Sequence, residues 1–80
     1  DLFGIAATIF NVVTRDMPTT IMELDKIAEE SVRQSLQDAN CSDQFINAIV
    51  RGLQGSMSLR PKDAQTFLNL FPGCEDIKLD

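Results

Sequence analysis

The chain has no histidine, tryptophan or tyrosine, only two cysteines and three prolines, and seven basic residues against twelve acidic ones. Without histidine it lacks the commonest general base and the commonest protein metal ligand. With a formal net charge of −5 it lacks the basic face that a phosphate backbone requires, so a nucleic-acid partner is not expected. Its most apolar stretch, Leu2 to Val13, is interrupted by Gly4, Thr8 and Asn11. That stretch falls short of the roughly 20 apolar residues a membrane span needs, so no transmembrane segment is predicted. There is no Gly-x-Ser-x-Gly elbow, no Gly-x-x-x-x-Gly-Lys phosphate loop and no Cys-x-x-Cys pair. Two cysteines are too few for structural zinc, and the acids are spread along a helical pattern rather than gathered in a calcium loop. The expectation is no catalytic residue, no metal and no cofactor.

What is present is 80 residues with 44% hydrophobic side chains, enough for one small domain over residues 1–80 with a short C-terminal tail at 75–80. A chain of this size buries only about 60% of the surface its unfolded form exposes, so its core needs a staple or a partner. An even pair of cysteines in a small acidic chain favours an oxidising compartment, hence a secreted protein; a reduced cytosolic pair is the other reading. The chain opens at Asp1 with no Met and no charged leader, as expected of a processed product. Asn40-Cys41-Ser42 has the form of a glycosylation acceptor.

The hydrophobic spacing predicts an all-α fold: a compact four-helix unit with helices over about 2–14, 19–39, 43–54 and 61–71, stapled by a disulfide. Nine of the thirteen residues from Leu2 to Thr14 are apolar, and Gly4, Thr8 and Asn11 form one narrow polar stripe. Pro18 breaks that helix. Thr20 and Glu23 have capping-box spacing at the start of the second helix. Its apolar face is Ile21, Leu24, Ala28, Val32, Leu36 and Ala39, and Lys26/Glu30 and Glu29/Arg33 are i,i+4 ion pairs on its polar side. Asn40 stops it and Ser42 caps the third helix, whose face is Phe45, Ile46, Ile49, Val50 and Leu53. Pro61 suits a first helical turn, and Ala64, Phe67, Leu68 and Phe71 form the fourth face, closed by Pro72-Gly73. Ile77 and Leu79 alternate with charge in a frayed or extended tail.

Cys41 precedes the third helix and Cys74 follows the fourth. If those helices form an antiparallel hairpin, both thiols fall at one end of it, and a bridge between them would contribute roughly 3–4 kcal/mol. Pairing with another subunit is the alternative. The first helix carries more apolar surface than three modest amphipathic faces cover. An apolar cavity holding a hydrophobic small molecule or lipid, a homo- or hetero-dimer, or docking on a lipid surface would resolve the surplus. The acidic balance counts against anionic membranes. The leading expectation is a secreted, non-enzymatic binding module for a hydrophobic small molecule or lipid, in an apolar interior or dimer interface. Its ligand contacts would be Phe3, Ile9, Phe10 and Val13 facing Phe45, Ile49, Phe67 and Phe71, a set that also describes a plain core. The alternative is an interaction, signalling, toxin-like or self-assembly domain associating through the first helix.

Three segments carry a resemblance to a known family. They are Ile9-Phe-Asn-Val-Val13, Asp16-Met-Pro-Thr-Thr-Ile-Met-Glu-Leu24, and Asp63-Ala-Gln-Thr-Phe-Leu-Asn-Leu-Phe71 running on to Cys74. In that order they resemble the secretoglobins, the uteroglobin-like small secreted helical proteins. The resemblance implies a disulfide-linked dimer enclosing an apolar cavity.

Overall fold

A computed structural model describes residues 2–15, 26–54 and 58–79, and everything regular within them is helical. The order is α1 (Leu2–Thr14), α2 (Lys26–Asp38), α3 (Asp43–Gly52) and α4 (Ala64–Leu68). No strand occurs among the described residues. The expected start of the second helix at 19–25, with its Thr20/Glu23 capping box, lies outside the described residues, as does the side chain of Lys26.

The helix ends follow from single residues. Arg15, at φ 60°, takes the left-handed conformation after α1, and its amide donates to the Asn11 carbonyl at 2.7 Å. Asn40 does the same after α2 at φ 64°. Its N–H donates to Gln37 O at 2.9 Å and the Cys41 N–H to Leu36 O at 3.0 Å. Those two bonds define a Schellman turn; Leu36, its first member, lies in the core cluster, and Cys41, its last, packs partly buried against that cluster. Ser42 caps α3 by accepting from the Phe45 amide at 3.2 Å, as the sequence predicts.

Two boundaries differ from expectation. The third helix, expected to 54, ends at Gly52: the Gln54 amide drops to an i−3 bond with Arg51 O, and the Gln54 carbonyl is taken by Arg60 Nε at 2.5 Å. The fourth, expected over 61–71, is only Ala64–Leu68. Asp63 rather than Pro61 begins it, accepting from the Thr66 amide at 2.8 Å, and Pro61 is buried ahead of the cap. At its other end Leu70 and Phe71 donate to Phe67 O and Leu68 O, i−3 bonds that tighten the chain into turns before Pro72.

The expected staple is not formed, because Cys41 and Cys74 are both free thiols. Cys41, at the end of the Schellman turn, packs partly buried against the core cluster, and the Cys74 carbonyl accepts from Asn69 Nδ2 at the C-cap of α4 at 2.8 Å. Stability among the described residues therefore comes from packing. α3 lies against both α1 and α2, which also touch one another. Leu36, Ile46, Ile49 and Leu53 are fully enclosed, with Ala6, Phe10, Val32, Val50 and Phe67 around them. No polar or charged side chain is buried among the described residues, so this core carries no desolvated charge to compensate. α2 and α3 are also joined at the surface by Arg33, whose guanidinium donates to Glu29 at 3.1 Å and to Asn47 Oδ1 at 2.8 Å.

Candidate functional site: an apolar groove between α1 and α4

α1 contains no charged residue, and its side chains divide into three arcs. Ala6 and Phe10 are buried, and Phe3, Ala7 and Val13 pack partly buried beside them, forming the arc that meets the core. Gly4, Thr8 and Asn11 form the polar arc, on which the Thr8 hydroxyl donates back to the Gly4 carbonyl at 2.8 Å. The third arc is Leu2, Ile5, Ile9 and Val12, spaced three, four and three residues apart and so aligned on one face for about 15 Å. Ile5 is 46% exposed and Val12 72% exposed.

Leu2, Ile5 and Ile9 of this third arc form one wall of a groove with a volume of about 360 Å³, open on one side to solvent. The facing wall comes from α4 and the turn after it: Ala64, Phe67, Leu68 and Phe71. Phe45 of α3 and Leu79 complete the lining. The floor is aromatic and fixed. Phe71 meets Phe45 edge to face at 5.4 Å between ring centroids and Phe67 at 5.0 Å, geometries that suit ring quadrupoles and hold all three rings in register. Every lining residue is apolar, so the groove offers neither a nucleophile nor a titratable group, and what it can do is remove apolar surface from water.

Close approach of α1, α3 and α4 depends on Gly52. A Cβ built there would lie 2.7 Å from Ala6 Cβ and 2.8 Å from Phe67 Cε1, so only glycine lets the end of α3 sit between the two groove-forming helices. Nearby, the Arg60 guanidinium stacks over the Phe3 ring at 5.5 Å and ties the start of α1 to the loop before α4. Asp63, the α4 cap, has its carboxyl held below the ordinary aspartate value, chiefly by the Thr66 backbone N–H, then by the Thr66 hydroxyl and the charge of Lys62.

Of the eight residues expected to contact ligand, Ile9, Phe45, Phe67 and Phe71 line the groove. Phe10 and Ile49 are sealed in the core, Val13 packs against it, and Phe3 lies under Arg60. Sequence reasoning missed Leu2, Ile5, Ala64, Leu68 and Leu79. The signal for Leu2 and Ile5 was present in their spacing with Ile9 and Val12, a second apolar stripe beside the core stripe. Leu79 carried no such signal: the Gln65 side chain, which accepts from its N–H, sets its place in the lining. No protein-family model matches this chain, and no curated protein or solved structure matches it either.

Proposed function

We propose that the chain is a non-enzymatic binding module, secreted from the cell, that holds a small hydrophobic molecule such as a single hydrocarbon chain in the groove between α1 and α4. One observation carries this reading: a recess of about 360 Å³ lined by nine apolar side chains and no polar one. That volume lies at the small end of the range for small-molecule sites. A lining without hydrogen-bonding groups selects an occupant by burial alone, which suits a saturated chain better than a ligand with polar atoms to satisfy. The edge-to-face ring floor gives the recess a fixed shape, so little ordering is required when the occupant arrives. The secreted setting rests only on the even count of two cysteines in a small acidic chain, both of them free thiols in the structure.

The test is a fluorescence titration with N-phenyl-1-naphthylamine, an uncharged apolar probe. Saturable binding is expected, and Ile5→Asp should weaken it at least about tenfold, because a carboxylate would be buried beside the probe without a partner. Ile5 is already 46% exposed, so this change leaves the core intact. No saturable binding by the wild-type chain, or equal binding by Ile5→Asp, would overturn the reading.

A second reading, association with another protein through α1, is favoured by Val12. It continues the groove-facing arc beyond the groove and is 72% exposed. Sedimentation velocity separates the two: if Val12→Asp converts a dimer to a monomer and probe binding is unchanged, the two surfaces have separate jobs.

A further inference from the structure

Segment 74–79 is held to the body of the protein in an unusual way. The Gln65 side-chain amide donates from Nε2 to the Ile77 carbonyl at 2.7 Å, and its Oε1 accepts from the Leu79 N–H at 2.6 Å. Pairing one amide with the carbonyl of one residue and the N–H two residues on is what a neighbouring β-strand does to an extended chain. One turn along, Asn69 Nδ2 donates to the carbonyls of Cys74 and Ile77 at 2.8 and 2.9 Å, and Gln65 Nε2 also reaches Asn69 Oδ1 at 2.7 Å. Gln65 on α4 and Asn69 at its C-cap thus read the main chain of the segment, and apolar residues of the same helix line the groove.

Residues 75–79 are all exposed, and the bonds to Ile77 and Leu79 are open to water, while the Asn69–Cys74 bond near the hinge is partly buried; the outer part of the seating is of the kind that opens locally at low cost. The segment leaves α4 through Gly73, whose φ of 80° only glycine adopts readily and beside which a Cβ would meet nothing within 4 Å. Leu79 walls the groove but does not fill it: the recess of about 360 Å³ exists with the segment seated, and Leu79 remains 53% exposed. An occupant would therefore touch Leu79 and cover it rather than expel it.

We propose that residues 74–79 are a strap, hinged at Gly73 and fastened by Gln65 and Asn69, that closes Leu79 onto an apolar molecule in the groove. The proposal rests on the binding reading above and adds the part that retains the ligand. Coupling is reciprocal: the occupant fastens the strap by the same factor that the strap tightens the occupant.

The experiment uses the full chain and N-phenyl-1-naphthylamine, with amide hydrogen exchange at Leu79 as the second readout. Saturating probe should slow Leu79 exchange about tenfold, and Gln65→Ala/Asn69→Ala should weaken probe binding by a similar factor, mostly through faster release. Leu79→Ser, which keeps both amides and removes only the wall, should weaken binding as well. If the probe binds but Leu79 exchange and the double variant's affinity are unchanged, the strap is overturned and the groove reading stands. If loosening the segment tightens binding, it is a competitor and the proposal is overturned in sign. If the wild-type chain does not bind the probe, both fall together.

Discussion

Gly52 and Ala6 pack so closely that a Cβ on the glycine would sit 2.7 Å from the alanine Cβ, nearer than carbon atoms approach without displacement. The contact joins the end of α3 to the middle of α1, with the Phe67 ring on the other side. Gly52→Ala should therefore cost about 1–3 kcal/mol in urea denaturation, despite alanine's better helix propensity. Adding Ala6→Gly should recover only part of the loss, since Phe67 Cε1 still lies 2.8 Å from the new methyl.

Asn40 holds a left-handed conformation at φ 64°, which costs a side-chain-bearing residue more than glycine. Asn40→Gly should hold or raise stability, by at most about 1 kcal/mol, and Asn40→Val should lower it by about 1–2 kcal/mol. Thermal unfolding followed by circular dichroism checks both; equal melting temperatures for the two variants would contradict the Schellman assignment.

Leu36 is fully enclosed and sits at the start of that same turn, so Leu36→Ala should cost about 2–5 kcal/mol. Val12→Ala, on the exposed arc, should change stability by less than about 0.5 kcal/mol. Denaturation midpoints measured side by side test the assignment of Val12 to the surface.

Asp63 gives α4 a pH dependence of known sign. Its carboxylate accepts from Thr66, which lowers its folded pKa below the unfolded value. The cap therefore contributes at pH above the ordinary aspartate value of about 3.9, and its contribution is lost as the pH falls through the lowered folded pKa. The Thr66 amide resonance should titrate in that acid range. In Asp63→Asn, which can still cap but cannot ionise, Thr66 should show no such transition.

The helical class, the full extent of α1, the Ser42 cap and the Glu29–Arg33 pair were legible because each depends on residues close together in sequence. The length of α4 was not. Pro61 looked like a helix start, but the Asp63 carboxylate competes for the same role two residues later, and the winner is decided by which amide it meets. The groove was half legible. Its phenylalanines stood out by size, but the division of α1 into a core arc and an exposed arc depends on where α3 packs. Leu79's place depends on two side-chain amides that no hydrophobic pattern reveals. The clasp expected between Cys41 and Cys74 followed from their positions at one end of a hairpin. In the structure both thiols are free, and Cys41 packs partly buried against the core.

A charge-free α1 also makes the molecule respond unevenly to ionic strength. The Arg33–Glu29 ion pair, which dissolved salt screens, lies within α2, and the contact of Arg33 across to α3 is a hydrogen bond to the neutral Asn47 amide. α1 joins the rest through apolar surface, and sulfate or phosphate strengthens such burial. Concentrated ammonium sulfate would thus press α1 more firmly into place, along with the apolar contact of α2 on α3, and it would favour any apolar guest lying beside α1.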